Sequence, residues 1–279
     1  MKLHVIETGF FKLDGGAMFG VVPKVIWQKT NPADENNLCT WAMRCLLIED
    51  EDRLILVDTG IGDKQDVKFL SHYYLHGKDS LKSSIEKAGF SFDDITDVFL
   101  THLHFDHVGG AVSKINEELT LTFKNATYWT NAKHWEWAIH PNAREKASFL
   151  KENILPLQES GRLKFIDNVE GVNFTKNIKV RFAYGHTEAM MLPQISYKEK
   201  TLVYMSDLLP STGHIPLPYV MSYDMFPMKT LNEKAAFLKE AAENNYILVL
   251  EHDPINECCT VQMTEKGIKI DQTFQLNDI

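Results

Sequence analysis

The stretch "THLHFDHVGG", residues 101–110, decides how this chain is interpreted. Three of the eleven histidines and one aspartate fall within six positions, directly after the apolar run "DVFL" at 97–100. Side chains crowded in this way repel one another when they carry like charge, so a purely structural role is difficult to justify. Neutral imidazole and carboxylate groups are preferred ligands of zinc and similar divalent cations. The stretch therefore predicts a metal site.

Length and composition limit the other possibilities. The chain has 279 residues, 44% of them hydrophobic, and no linker or short repeat, so we predict a single domain over residues 1–279. A formal net charge of -9 without any basic block argues against nucleic acid and anionic membranes as partners. The N-terminus does not resemble a signal peptide and no apolar run is long enough to span a bilayer, so we expect a cytoplasmic protein. The four cysteines form no CxxC pair and are predicted to be reduced, structural thiols.

Short apolar strands followed by polar turns recur along the chain and alternate with helical segments. The helical patterns are "SLKSSIEKAG" at 80–89, which ends at a glycine, and "TLNEKAAFLKEAAENN" at 230–245, which opens with a Thr230/Glu233 capping box. This alternation predicts a layered α/β protein. The predicted strands are 53–60, 95–102, 178–186, 201–207 and 245–253.

Histidines and aspartates stand where several of these strands end. Ligand sites of α/β proteins gather at such sheet rims, so residues distant in sequence can meet there. Two neighbouring metal ions would need about six protein ligands and a shared anion. Two such ions can also share a bound water molecule and lower its pKa. We assign His102, His104 and His186 to one metal, Asp106, His107 and His252 to the other, and Asp207 as a carboxylate that bridges both.

The same residues carry a resemblance to a known family. The motif "THLHFDHVGG", with "LVDTG" upstream and "GHT", "SD" and "EHD" downstream in that order, resembles the metallo-β-lactamase superfamily over residues 53–253. The segments 14–27 and 206–227 resemble its lactonase-like and methyl-parathion-hydrolase-like branch. The resemblance implies a four-layer αβ/βα sandwich with mixed sheets and the metal site at one edge of its two central sheets. It also implies that Asp58, in "LVDTG", orients a ligand histidine, although a turn-forming role for this aspartate fits the local sequence equally well.

Two positions depart from the family pattern. Met190 stands where many relatives have a further histidine, and Pro210 stands where acyl-homoserine lactonases have a tyrosine that polarises the substrate carbonyl. Tyr219, Tyr223 or His214, in the following loop, could supply a replacement donor. The apolar segment "GGAMFGVVP" at 15–23 is predicted to be a loop that covers a pocket or is buried against a second subunit, or else a hairpin at the sheet edge. The expected substrate contacts are Phe19, Phe105, His214 and Tyr223.

These observations together predict a dinuclear metal-dependent hydrolase that attacks a lactone or another small ester through a hydroxide bridging its metals. Asp106 and Asp207 are the expected catalytic residues, and the cofactors are two divalent ions, zinc first, with iron, manganese or cobalt as alternatives. Phosphotriesterase activity, glyoxalase-II-like thioester hydrolysis and a non-catalytic metal-binding module are the alternatives. A homodimer is the expected assembly on general grounds alone.

Overall fold

The computed structural model describes all residues, 1–279, and consists of mixed sheets with helices, as the sequence predicts. The strands are β1 (Lys2–Asp14), β2 (Leu38–Asp50), β3 (Arg53–Val57), β4 (Asp97–Phe99), β5 (Val112–Ile115), β6 (Glu118–Leu121), β7 (Thr127–Thr130), β8 (Leu163–Phe165), β9 (Val172–Asn173), β10 (Ile178–Ala183), β11 (Met190–Tyr197), β12 (Lys200–Tyr204), β13 (Ile247–Val249), β14 (Cys258–Thr264) and β15 (Gly267–Phe274). The helices are α1 (Gly15–Phe19), α2 (Lys24–Trp27), α3 (Val67–Ser71), α4 (Leu81–Lys87), α5 (Phe105–Val108), α6 (Ala132–Ile139), α7 (Lys151–Glu159) and α8 (Pro227–Asn244).

The first of two compact units comprises residues 1–9 and 43–172. Its main sheet has the strand order β1-β2-β3-β4-β7-β8. The last residues of β1, 10–14, and the first residues of β2, 38–42, belong to the second unit. From β3 to β8 the neighbouring strands run parallel. Strand β3, "RLILV", pairs antiparallel with β2 and parallel with β4, and it is apolar and buried from residue 54 to 57, as expected for an inner strand covered on both faces. Its side chains pack into a core with those of α4, α6 and α7.

The second unit comprises residues 10–42 and 173–279. Its seven-stranded sheet has the order β15-β14-β13-β12-β11-β10-β9, in which β12 and β13 pair in parallel. Helix α8 buries Phe237, Leu238 and Ala241 in the core of this sheet. Pro227 occupies the first turn of α8, where its missing N–H costs nothing, and Asn245 ends the helix in the left-handed conformation.

The five predicted strands all form, and each is shorter than its apolar pattern. Strands β3, β4, β10, β12 and β13 end at residues 57, 99, 183, 204 and 249, which leaves every predicted metal ligand in the segment just after a strand. The strand-end placement expected from the sequence is therefore confirmed within each unit.

Two local predictions are wrong. Helix α8 begins at Pro227 instead of Thr230, and the Glu233 carboxylate accepts the backbone N–H groups of Tyr184 and Gly185 instead of capping its own helix. The segment 15–23, predicted to be a loop or hairpin, contains helix α1 because the Asp14 carboxylate accepts the N–H of Ala17.

Several wider expectations can be compared with the structure. All four cysteines are buried and free, as predicted. No helix combines the length and apolar character that crossing a membrane requires. The single domain, the cytoplasmic location and the homodimer stay predictions.

The two glycines that end the opening motif allow a close backbone contact inside the first unit. A Cβ atom at Gly109 would lie 2.0 Å from the carbonyl oxygen of Ile61, and one at Gly110 would lie 2.3 Å from that of Thr59. Backbone atoms cannot move aside as the tip of a side chain can, so both positions require glycine. The motif is thereby packed directly against the turn that follows β3.

We predict that Gly109→Ala lowers the free energy of unfolding by about 2–3 kcal/mol, because the added methyl group overlaps the backbone of Ile61. Gly161→Ala is the control, since Gly161 has a positive φ of 71° but nothing within 4 Å of its Cβ position, and strain alone should cost about 1 kcal/mol. Denaturant unfolding of both variants measures the difference. Equal losses in the two variants would contradict the proposed overlap.

Candidate metal ligands

The first unit brings together all four ligands predicted from the opening motif. His102 and His104 lie in the irregular segment after β4, and Asp106 and His107 lie on the short helix α5. The rings of His102 and His107 are 3.9 Å apart between centroids, and His107 Nε2 lies 3.7 Å from an Asp106 carboxylate oxygen. His102 and His107 are fully buried, and His104 and Asp106 are 6% and 9% exposed.

The contact between His102 and His104 fits a shared cation. His102 Nε2 lies 3.0 Å from His104 Nδ1. The other nitrogen of each ring faces an oxygen, which is Thr101 Oγ1 at 3.1 Å for His102 and a Glu145 carboxylate oxygen at 2.9 Å for His104. When each ring donates its proton to that oxygen, the two nitrogens that face each other both present lone pairs. Two nitrogens that ligate one tetrahedral zinc ion are about 3.3 Å apart, close to the separation found here.

Asp58 lies behind this cluster, as the resemblance implies. Its backbone is in the left-handed conformation, with φ of 57°, at the turn after β3. Its carboxylate accepts the backbone N–H and the hydroxyl of Thr101 at 2.8 and 2.6 Å and faces His107 Nδ1 at 3.2 Å. The same carboxylate therefore fixes both the residue before His102 and the ring of His107. The orienting role assigned to Asp58 stays a prediction that this geometry supports.

Two further residues of the first unit support the ligand segment, and Glu145 was missed by sequence reasoning. Glu145 is 2% exposed and accepts the indole N–H of Trp137 as well as facing His104. His134, on α6, accepts the backbone N–H of Leu103 through its Nε2 at 2.9 Å. His134 therefore has a structural role, because it holds the loop that carries His102 and His104.

The second unit brings together its own three predicted ligands. Asp207 follows β12, His186 follows β10 and His252 follows β13. His186 Nε2 lies 3.0 Å from one carboxylate oxygen of Asp207, and His252 Nε2 lies 3.0 Å from the other. All three residues are at most 7% exposed. Each oxygen of Asp207 thus serves a different histidine.

The remaining nitrogen of each of these histidines also has an acceptor. His252 Nδ1 lies 2.7 Å from the carbonyl oxygen of Ala42, and His186 Nδ1 lies 2.8 Å from a carboxylate oxygen of Asp224. An acceptor at Nδ1 selects the tautomer whose Nε2 can bind a metal ion, and it also holds the ring in place. Asp224, which is 1% exposed, was missed because it lies 38 residues from His186 in a loop without a recognisable pattern.

The carboxylates around His186 favour a positive charge at its imidazole ring. Burial lowers the pKa of His186, but the carboxylates of Asp207 and Asp224 outweigh burial and raise it to about 10. Two buried carboxylates around one imidazole thus favour positive charge at this point. A divalent cation in place of the Nε2 proton satisfies the same preference, so the donor set of the second unit fits a metal ion.

Both departures from the family pattern have structural counterparts. Met190 is fully buried, and its sulfur accepts a hydrogen bond from the hydroxyl of Ser206, the residue before Asp207. The carbonyl oxygen of Pro210 accepts the backbone N–H of His252 at 3.0 Å. Met190 therefore contacts the residue before Asp207, and Pro210 holds the backbone of His252 through its own carbonyl group.

The predicted substrate contacts differ in accessibility. Phe19 is fully buried and stacks on His214, with ring centroids 4.5 Å apart. His214 is 1% exposed, with its ring nitrogens 2.8 and 2.9 Å from Ser211 Oγ and from the carbonyl oxygen of Met18. Burial lowers the pKa of His214 to about 3, so the ring is neutral. Phe105 is 8% exposed and Tyr223 is 39% exposed. Substrate contact by these four residues stays a prediction, and Phe19 and His214 present almost no surface for it.

Comparison with known proteins places the chain in a family. Residues 44–252 match the family model described as the metallo-beta-lactamase superfamily. The N-acyl homoserine lactonase AiiA of Bacillus thuringiensis subsp. kurstaki is 26% identical over 165 residues, which are 56% of this chain and 56% of that protein. The chain thus spans little more than half the length of the curated relatives it matches. These relatives support the lactonase-like branch predicted from the sequence.

Two solved structures are similar to this chain over almost its whole length. A probable metal-dependent hydrolase from Staphylococcus aureus is 27% identical, with a TM-score of 0.88 over 98% of this chain and 96% of that chain. AidC, a dizinc quorum-quenching lactonase solved with the product of its reaction, is 24% identical, with a TM-score of 0.79 over 99% of this chain and 97% of that chain. At this identity the second likeness shows the fold alone, and the fold class expected from the sequence is confirmed. Because the family match covers well over half of its residues, the chain belongs to the metallo-beta-lactamase superfamily.

Proposed function

We propose that the two ligand clusters together bind two divalent metal ions and that the protein hydrolyses a small ester, with lactones as the first candidates. The observation that carries the proposal is the double contact of Asp207, whose two oxygens each meet a different histidine at 3.0 Å. A carboxylate used on both oxygens suits a position between two ions. In this proposal one ion is held by His102, His104 and His186, the other by Asp106, His107 and His252, and both by Asp207.

The bound ions would supply a water of lowered pKa and polarise the substrate carbonyl. The chain's own part is to place and keep the charges. Asp106 and Asp207 are 9% and 7% exposed, more than any of the five histidine ligands, so their carboxylates are the ligand groups closest to solvent. An ionised carboxylate at such a position can accept the proton of the attacking water.

A small neutral ester fits the electrostatics of the chain better than a polyanion does. The formal net charge is -9, and no basic block is present to bind a phosphodiester backbone. The match to N-acyl homoserine lactonases supports a lactone as the ester. Zinc is the first choice of metal, because imidazole and carboxylate donors suit it and one structural neighbour is a dizinc enzyme, with iron, manganese and cobalt as alternatives.

A hydrolysis panel tests this proposal. We expect the zinc-loaded protein to hydrolyse lactones with a kcat/KM well above its values for aryl esters, thioesters and organophosphates. Asp207→Ala should abolish turnover and lower the affinity for both ions, since both would lose a ligand. Asp271→Ala, on the exposed strand β15, is the control and should behave as wild type. Full activity in Asp207→Ala would remove the bridging role, and a preference for organophosphates would select the phosphotriesterase alternative.

Metal removal provides a second test that does not depend on knowing the substrate. A bound ion at a thousand times its dissociation constant stabilises the folded state by about 4 kcal/mol, so chelation should lower the melting temperature by about 8 °C or more. Re-addition of zinc should restore it, and metal analysis should give about two equivalents per chain. Unchanged melting after chelation, together with no metal after expression with supplementation, would count against the site.

Asp224 provides a third test, directed at the residue behind His186. Asp224→Ala removes the acceptor at His186 Nδ1 and should weaken metal binding by about 10- to 100-fold in a chelator competition. Asp224→Asn keeps an acceptor oxygen without the charge and should lose less. Metal affinity in Asp224→Ala equal to that of wild type would show that this contact does not orient the ring.

A further inference from the structure

Tyr73 lies in the turn after α3 and packs against the residue between two predicted ligands. Its ring centroid is 4.8 Å from that of Phe105, which stands between His104 and Asp106 in the sequence. Phe69, on α3, contacts both rings, at 5.2 Å from Tyr73 and 5.4 Å from Phe105. Tyr73 is therefore fixed by aromatic packing next to the metal-ligand segment of the first unit.

The hydroxyl of Tyr73 has no hydrogen-bond partner within the protein. Buried tyrosines normally satisfy this group, as Tyr128 does by accepting the N–H of Phe123 at 3.0 Å. The Tyr73 side chain is half-buried, so its hydroxyl can reach a molecule that enters from solvent. Burial, together with the nearby Asp106 carboxylate, raises the pKa of Tyr73 to about 12, and the phenol keeps its proton at neutral pH. The hydroxyl is therefore a fixed donor that has no acceptor inside the protein.

The loop after Asp207 offers few alternatives to Tyr73. Pro210, at the place of the lactonase tyrosine, has no side-chain donor. His214 already has oxygen partners at both ring nitrogens, and Tyr219 packs edge-on against Phe19 with ring centroids 6.1 Å apart. Of the three replacement donors considered from the sequence, Tyr223 is 39% exposed and Tyr219 is half-buried, as Tyr73 is.

We propose that Tyr73 is a catalytic residue whose hydroxyl donates a hydrogen bond to the carbonyl oxygen of an ester or lactone bound beside Asp106. This inference rests on the proposed function. It assigns to Tyr73 the role that a tyrosine has in acyl-homoserine lactonases, where this chain has Pro210. Such a hydrogen bond strengthens as negative charge develops on the carbonyl oxygen, so it lowers the barrier to attack by water more than it tightens substrate binding. No proton is transferred, and Tyr73 remains a neutral phenol throughout.

Tyr73→Phe tests the proposal, because it removes the hydroxyl and keeps the ring that packs on Phe69 and Phe105. With the zinc-loaded protein and the best substrate of the panel, we expect kcat to fall about 10- to 100-fold while KM changes little. The loss should be the same between about pH 6 and about pH 9, as expected for a donor that does not titrate in this range. Metal content and melting temperature should equal those of wild type.

Two further tyrosines serve as matched controls. Tyr74→Phe alters the neighbouring residue, which is 53% exposed, and should leave kcat/KM within about twofold of wild type. Tyr223→Phe tests the competing donor. A Tyr73→Phe variant with wild-type kcat/KM would overturn the proposal, and a large loss in Tyr223→Phe alone would assign the role to Tyr223.

A binding measurement separates failure of this inference from failure of the proposed function. If wild type hydrolyses no member of the panel, the proposed function fails on its own terms. Calorimetric titration of the zinc-loaded proteins with a ring-opened hydroxy acid then decides on Tyr73. Weaker binding by Tyr73→Phe than by wild type and Tyr74→Phe supports the hydrogen bond, and equal binding by all three proteins overturns it.

Discussion

An imidazole buried beside other polar groups must have both of its ring nitrogens satisfied, and this constraint organises the candidate ligands in both units. One nitrogen of each ring needs a fixed acceptor so that the other is available to a cation. The structure provides such an acceptor for all five histidine ligands. The pairs are His102 with the hydroxyl oxygen of Thr101, His104 with Glu145, His107 with Asp58, His186 with Asp224, and His252 with the carbonyl oxygen of Ala42. The ligand residues are thus positioned by a surrounding layer of oxygens that is itself buried.

The backbone contributes to the same positioning. Asp58 and Ser206 are non-glycine residues with positive φ, at 57° and 42°; Asp58 directly follows β3, and Ser206 begins a short 3-10 helix two residues after the end of β12. Ser206 immediately precedes Asp207, so this helical turn sets the direction of the carboxylate that meets His186 and His252. Such conformations cost about 1–3 kcal/mol each and are retained where the surroundings hold them, as they commonly are at functional sites. In the first unit, the close backbone contact between Gly109 and Ile61 likewise fixes the position of the opening motif.

Local patterns in the sequence were enough to predict the strands and the ligand candidates. Strands β3 and β4 are short apolar runs, and the six-residue motif that follows β4 has few structural explanations, so these features carried most of the information. The supporting residues Asp224 and Glu145 could not be predicted, because each meets its histidine across 38 or 41 positions, through loops of ordinary composition.

Other failures arose where tertiary contacts overrode a local signal. Glu233 looked like part of a capping box, but the backbone N–H groups of Tyr184 and Gly185 compete for its carboxylate. Phe19 was selected for an apolar loop, yet it is fully buried against His214 within a helical segment. Tyr73 lies in no recognisable motif, and its place beside the ligand segment follows only from its packing on Phe105.

We propose that the seven ligand side chains bind a pair of cations. Anomalous diffraction at the zinc edge from crystals of the zinc-loaded protein tests this claim most directly. We expect two peaks about 3.5–4 Å apart, with Asp207 in contact with both of them. A single peak, or zinc bound only by residues of the opening motif while Asp207 points elsewhere, would contradict it.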